Sequence, residues 1–337
     1  MRFGLFDHMD RGHLSPGAQY RERLELIEAC ERAGFYAYHL AEHHSTPLGL
    51  ASSPSVFLAA VAARTTRLRL GPLVYTLSIH HPLRLLEEIC MLDQLSGGRL
   101  DLGVGRGISP IELGFFGVGE DAQQRYEEAY QILLHGLTSP RLNFQGKHYR
   151  FDDVPIEVAP VQRPHPPLWY ALSRPDTCAF AASQGMNIVG SGTAAQFRTI
   201  SDRYREEWAQ GPRAAMPLPL MGVTRHVLVA PTDAEAMRTA SGPYARWLAS
   251  MKHLWQARGV PFPLNLPDTL PQAVAAGLCL VGAPQTVRAM MAEQIATAGI
   301  TYLLCRLAFG DMSLEASLQS VALLERDVLP TLCDTVP

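Results

Sequence analysis

Apolar residues recur along this chain in two alternating rhythms: short β-rich runs, and longer segments with helical spacing. "RFGLF" (2–6) predicts a strand, and "SPGAQYRERLELIEACERAGF" a helix with Leu24, Ile27 and Cys30 on one face and Gly34 as its stop. "AYHLA" (37–41) is the next expected strand. "SPSVFLAAVAARTT" is the next helix, with Ser53 ahead of Pro54 at its first turn. "RLRLGPLV" then predicts a strand, "PLRLLEEICMLDQLSGG" a helix and "LDLGVG" another strand. One strand and one helix roughly every 30 residues call for a parallel sheet, because parallel neighbours need a crossover connection.

The rhythm continues less regularly in the second half. Residues 141–167, including "NFQGKHYRFDDVPIEVAPVQRPHPP", read as an inserted hairpin and loop. "LWYAL", "NIVGSG", "MGVTRHVLVA" and "TYLLCRL" are expected strands, and "SLEASLQSVALLERDVLP" a closing helix. Residues 256–280 carry many prolines and no period, which predicts a long functional loop or lid. Eight strand–helix pairs favour an α/β class (β/α)8 TIM barrel with insertions over a doubly wound sheet. No composition break marks a boundary, so residues 1–337 are expected to form a single domain.

Composition narrows the function more than the fold. Apolar content of 47% and charged content of 18% are those of a soluble globular chain. A net charge of −3 argues against a nucleic-acid or anionic-membrane partner, since both require a basic surface. Any anionic ligand must then be held by a few local arginines or by helix N-termini. The cysteines at 30, 90, 178, 279, 305 and 333 form no CxxC pair and fit a reducing cytoplasm. No apolar run approaches the roughly 20 residues that span a bilayer.

In such a barrel the chemistry gathers at the C-terminal strand ends. Those ends hold Asp7 and His8, then Glu42, His43 and His44, Leu73 and Val74, Arg106, Ser173 and Arg174, and Ser191. "GVGRGIS" (103–109) has the spacing G-x-G-x-G, not the dinucleotide fingerprint, and the next clear helix is expected only near Asp121. Read blandly it is a tight turn. Glycines on both sides of Arg106, however, leave room for a flat or phosphorylated ligand beside a fixed guanidinium. "ALSRPDTCAFAASQG" (171–185) puts Ser173, Arg174 and Thr177 at a helix start, where free N–H groups and the dipole favour an anion. The plainer alternative is N-capping by Ser173.

His8, His43, His44 and His80 invite a metal reading, but the chain has neither H-x-H after the first strand nor H-E-x-x-H. His81 before Pro82 reads as a cap, and His39 as a core residue.

Several segments together resemble the bacterial luciferase-like family of flavin-dependent monooxygenases. They are "MRFGLF", "GFYAYHLAEHHSTPLGLASSP", "HHPLRLLEEICMLDQLSGGRLDLGVGRG", "VPIEVAPVQRPHPPLW", "VGAPQTV" and "FGDMSLEASLQSVALLERDVLP". The resemblance covers nearly the whole chain in family order. It implies a TIM barrel, reduced FMN at the mouth, activation of O2, and a separate NAD(P)H:flavin reductase as electron supplier. It further implies a small organic substrate, apolar or carbonyl, and a homodimer. A deazaflavin-dependent oxidoreductase of the same superfamily and a flavin-binding protein without turnover are the alternatives.

Residue by residue, the resemblance assigns a catalytic histidine to His43, with His44 in support, and a phosphate-binding arginine to Arg106. Thr177 matches the phosphate site, while Ser173 and Arg174 stand where the catalytic luciferase subunit has glutamate and serine. Gly105 stands where that subunit has its reactive cysteine. A non-prolyl cis peptide is implied between Leu73 and Val74, under the flavin ring. Light emission does not follow from these matches. Reduced flavin wastes oxygen as peroxide in water, so the pocket must be dry, with Trp255 and Phe262 of the lid region as candidate walls.

Overall fold

The computed structural model describes residues 1–333; the Cys333 side chain lies outside that description. The first half alternates as expected: β1 (Arg2–Asp7), α1 (Pro16–Arg32), β2 (Ala37–Leu40), α2 (Pro54–Arg64), β3 (Arg69–Pro72) and β4 (Tyr75–Thr76). Then come α3 (Pro82–Leu95), β5 (Leu102–Gly105), α4 (Pro110–Phe115) and α5 (Ala122–Thr138). β6 (Arg141–Gln145) and β7 (Arg150–Pro155) form an antiparallel pair apart from the main sheet. The remainder is β8 (Leu168–Ala171), α6 (Cys178–Gln184), β9 (Asn187–Gly190), α7 (Ala194–Gln210), β10 (Met221–Val229) and α8 (Asp233–Ala257). After α9 (Leu270–Ala275) follow β11 (Cys279–Gly282), α10 (Pro284–Ala298), β12 (Tyr302–Arg306), α11 (Leu314–Leu323) and α12 (Leu329–Cys333).

The main sheet runs β3-β2-β1-β12-β10-β9-β8-β5-β4, with parallel pairing throughout. Its two ends, β3 and β4, are consecutive stretches of one segment interrupted at Leu73–Val74, whose peptide bond is cis. The path therefore returns on itself as a parallel barrel, and β11 adds to the outer end of β10. The family fold expected from the sequence is the fold observed.

Strand residues two apart share a face. Phe6, Ala41, Leu73, Trp169, Val189, Tyr302 and Leu304 accordingly meet inside the ring, while a larger apolar layer joins the strands to the surrounding helices. His39 is a core residue: it is buried, bonded through Nε2 to the Tyr302 hydroxyl at 3.1 Å, and burial pulls its pKa down to about 3. Cys30, Cys90, Cys178, Cys279 and Cys305 are buried free thiols. No helix among the described residues is long and apolar enough to cross a membrane.

Three local expectations need correction. The strand expected over 67–74 is shorter, Arg69–Pro72, and after the Leu73–Val74 step the segment resumes as a second strand, Tyr75–Thr76. Helix resumes well before Asp121, because Ser109 caps α4 by accepting from the Glu112 N–H at 3.2 Å with Pro110 in the first turn. Finally, 256–280 is not loop throughout. Gln256 and Ala257 finish α8, a capping box between Thr269 and Gln272 starts α9, and Cys279 opens β11. Six- and four-residue elements are too short to show a period.

The barrel closes where β3 meets the start of β5, through a bridge between Leu70 and Leu100. Arg69 pins this seam: Nε donates to Asp101 Oδ1 at 2.9 Å and Nη2 to the Leu100 carbonyl at 2.9 Å. At Gly71 a Cβ would lie 1.8 Å from the Asp101 carbonyl oxygen, a contact only backbone movement relieves. Gly71→Ala is expected to destabilise the protein by about 3 kcal/mol, near the upper end of overpacking costs. Urea unfolding checks this; a midpoint equal to wild type contradicts a tight seam.

Candidate functional site

The mouth at the C-terminal strand ends holds a cavity of about 560 Å³. It is lined by His43, His44, Leu73, Val74, Gly105, Arg106, Ser173, Arg174 and Thr177, and by the strand-end residues His8, Glu42 and Ser191; Asp7 is not in its lining and instead accepts from the Tyr38 hydroxyl at 2.9 Å. The first nine come from the ends of β2, the break between β3 and β4, the end of β5 and the turn after β8. Only barrel closure makes neighbours of stretches so far apart in sequence.

The two histidines divide between two carboxylates. His43 Nδ1 lies 3.2 Å from Glu112 Oε1, and the other oxygen of Glu112 accepts the His44 backbone N–H at 2.7 Å. If Nδ1 carries the proton toward Glu112, Nε2 is left with its lone pair, the form that accepts a proton. The His43 ring also lies 5.6 Å from that of His8, so it sits on the inner side of the mouth. His44 instead turns its Nε2 to Glu42 Oε1 at 3.2 Å and meets Phe116 edge-on.

Glu42 is the electrostatic centre of this wall. Its Oε1 also accepts from His80 Nε2 at 2.7 Å, and its Oε2 from the Thr76 N–H at 2.6 Å. Burial works to raise its pKa, but the bonds from His44, His80 and Thr76 outweigh burial and pull the carboxyl down to about 2. Burial also works to lower the pKa of His80, and the Glu42 carboxylate reverses that to a net rise. His80 is therefore a structural partner of Glu42. Among the described residues, no group of three or more His, Cys, Asp or Glu is arranged to hold a metal.

On another side, Arg106 is exposed and its side chain makes one long contact, Nε to the Gly107 carbonyl at 3.4 Å. It makes no ion pair among the described residues. The segment after β8 forms a 3-10 turn, Pro175–Thr177, that leads into α6. Neither element has a side-chain cap, so Ser173 does not cap here and the first N–H groups keep no side-chain partner at the cap. Arg174 pairs with Asp176 at 3.2 Å, both exposed, and the Thr177 hydroxyl reaches back to the Arg174 carbonyl at 3.4 Å. At Gly105 a Cβ would lie 2.6 Å from Val74 Cγ2, so the missing side chain there makes room for Val74.

Sequence reasoning passed over several lining residues. Glu112 sits in the short helix α4, and its signal was the capping pattern Ser109-Pro110-Ile111-Glu112. Arg306 and Thr224 lie in expected strands, and nothing in the local pattern marks them. Of the lid region, Leu264 lines the cavity, whereas Trp255 and Phe262 pack on each other with ring centroids 6.1 Å apart.

Residues 1–302 match the sequence model of luciferase-like monooxygenases. The uncharacterized protein y4wF of Sinorhizobium fredii is 44% identical over 330 residues, covering 98% of this chain and 96% of that protein. The oxygenase component of a flavin-dependent trigonelline monooxygenase from Acinetobacter baylyi is 31% identical over 192 residues, 56% of this chain and 53% of that one. Among solved structures, the monooxygenase RslO1 of Streptomyces bottropensis superposes with a TM-score of 0.89 at 26% identity, covering 98% of this chain and all of that one (100%). The oxygenating constituent of 3,6-diketocamphane monooxygenase from Pseudomonas putida, in complex with FMN, has a TM-score of 0.80 at 20% identity over 98% of each chain, a likeness of fold.

The Glu42 network sets a pH dependence. Its folded pKa lies below the ordinary value of 4.5, so its stabilisation is present above 4.5 and is lost as pH falls toward about 2. His80, shifted upward, contributes below its ordinary value of 6.5 and loses that contribution as pH rises through its folded pKa. Glu42→Gln is expected to flatten the dependence of urea stability on pH at both ends. Wild-type slopes in the variant would remove Glu42 from the linkage.

Proposed function

The chain belongs to the luciferase-like monooxygenase family, and from that premise we propose that it is the oxygenase component of a two-component system. In this reading it takes reduced FMN and O2 and oxygenates a small organic substrate. When bound, reduced FMN supplies the two electrons that activate oxygen. The observation that carries the reading is one cavity that combines three things: an exposed arginine with no ion pair (Arg106), an uncapped turn at Pro175–Thr177, and a histidine backed by a carboxylate (His43 with Glu112).

Each part has a physical task. Arg106, the Thr177 hydroxyl, Ser173 and the free N–H groups of the turn suit a phosphate, which a guanidinium binds through paired hydrogen bonds. Arg174 flanks that site and, held by Asp176, serves as a secondary contact. Gly105, Leu73 and Val74 present backbone and apolar surface to a flat ring system. His43, oriented by Glu112, moves a proton near the reacting oxygen, with His44 supporting it through its backbone N–H on the same Glu112 carboxylate. Met251 and Leu264 add apolar wall, as a reaction spoiled by water requires.

NAD(P)H acts only through a separate flavin reductase in this proposal. The chain has no dinucleotide fingerprint, and the trigonelline relative is itself named an oxygenase component. A cytoplasmic homodimer completes the reading; Val56 on α2 and Met91 and Leu95 on α3 are exposed apolar residues on helices that pack together.

Arg106→Ala is expected to weaken reduced FMN about tenfold or more, because a lost charge-assisted contact costs ~1.5–3 kcal/mol. Anaerobic titration reads this directly. Unchanged affinity in a folded variant contradicts the phosphate assignment, and binding of a deazaflavin in place of FMN moves the protein to the deazaflavin oxidoreductases. Tight FMN binding without any oxygen-dependent product favours a flavin carrier.

His43→Ala is expected to bind reduced FMN nearly as wild type does and to consume oxygen, yet to release hydrogen peroxide in place of oxygenated product. Loss of coupled turnover of about 10²–10⁴ is the range for a missing acid/base group. Glu112→Gln moves the same ratio of peroxide to product in the same direction by less. Full coupling in His43→Ala with loss in His44→Ala exchanges the two roles, and no effect in either variant ends the acid/base assignment.

A further inference from the structure

Arg306 closes β12 on the inner face of the barrel, two residues beyond Leu304 and four beyond Tyr302. It is 8% exposed, lines the mouth cavity, and places its guanidinium 4.9 Å from the Phe6 ring centroid and 5.7 Å from that of Trp247. Nη2 donates to the Thr224 hydroxyl at 3.0 Å, whereas Nε has no hydrogen-bond partner. Among the described residues no carboxylate forms an ion pair with it.

Among the described residues nothing nearby supplies the missing negative charge: the Cys279 thiol, the group that acts most favourably on Arg306, is pushed up to about 12 by burial and stays neutral. Asp10, the acid that acts on Arg306 at a distance, accepts from the Gly310 N–H, and burial raises its own pKa to about 7. Arg225, one residue past Thr224 and turned outward to Gln294, adds a second buried cation. His8 and His226 are both held toward the neutral form, first by burial and then by Arg306, joined at His226 by Arg225, and His226 Nε2 is also unpartnered. Burial pulls Arg306 down only to about 10, so it stays charged at neutral pH. A buried charge without a countercharge is costly, and an anion bound from the cavity would offset that cost.

Position separates this cation from the phosphate site. In the ring β3-β2-β1-β12-β10-β9-β8-β5-β4, with β3 and β4 as one broken strand, β12 and β5 are half a turn apart in either direction. Arg106 follows β5 and Arg306 ends β12, so the two arginines stand on opposite sides of the mouth. A phosphate held at Arg106 leaves Arg306 for the second ligand.

We propose that Arg306 anchors an oxyanion of the substrate, and that the substrate is therefore a small organic anion, a carboxylate or enolate-type oxygen on an apolar skeleton resting against Phe6, Met251 and Leu264. This deepens the flavin reading and rests on it for the word substrate; the anion site itself does not need flavin.

Benzoate and its neutral isostere benzamide test it by calorimetric titration of the purified protein, with and without FMN. Wild type is expected to bind benzoate at least tenfold more tightly than benzamide, the discrimination of one charge-assisted pair. Arg306→Gln brings the two within about twofold while leaving FMN affinity unchanged, and Arg306→Lys keeps part of the preference. Equal binding of the two probes by wild type overturns the proposal, as does the absence of saturable benzoate binding or a preference that survives in Arg306→Gln. The wild-type comparison decides even if the glutamine variant fails to fold. Arg106→Ala separates the two readings. Benzoate preference lost with Arg106 and kept without Arg306 makes the anion site the phosphate site, which overturns this proposal alone. A preference that follows Arg306 in a protein that binds no FMN overturns the flavin reading alone.

Discussion

Two backbones meet at the barrel seam more closely than side chains allow, and the mouth is built on that approach. Gly71 lies against the Asp101 carbonyl, and Gly103 against the Pro72 carbonyl. β3 and β4 are one segment wrapped along β5, so the Leu73–Val74 step and Arg106, which directly follows β5, both line the cavity. Thr76, on the far side of that step, gives its N–H to Glu42 and ties β4 to the end of β2. One seam thus fixes both the apolar wall and the cation expected to flank a flavin.

Charge is distributed around the mouth with a clear division. On the β2 side, buried Glu42 collects His44, His80 and a backbone N–H, while Glu112 holds His43 and the His44 N–H. Those carboxylates are satisfied, which fixes the imidazoles in place. Around Arg106 and Arg306 the balance is reversed, since neither makes an ion pair among the described residues. A site that neutralises its acids internally and leaves two cations on opposite sides unmatched is the basis on which anionic ligands are proposed for it. The chain's overall charge of −3 gives no sign of it.

Much of this was legible from the linear pattern, and for identifiable reasons. Parallel strands separated by helices announce themselves by period, and the rule that strand ends carry chemistry picked out residues that, Asp7 apart, line one cavity. What escaped was short or unpatterned. Six residues of α4 have no period to read, so Glu112 was missed although its capping signature was present. Four residues of β11 vanished inside a proline-rich stretch. Trp255 and Phe262, attractive as lid residues by composition, satisfy each other instead.

The sequence by itself determined the elements and their order, because propensity, capping and hydrophobic period act over a few residues and need no distant partner. It also determined that histidines 43 and 44 and Arg106 stand at strand ends. Which carboxylate each histidine takes was decided only by tertiary structure: Glu112 lies 69 positions from His43, and its approach depends on the ring closing. The same holds for Arg306. An arginine at the end of an apolar strand reads locally as a boundary charge. Only the fold, by burying it opposite Arg106 with Thr224 as the sole hydrogen-bond partner of its side chain among the described residues, makes it a cation that lacks an anion.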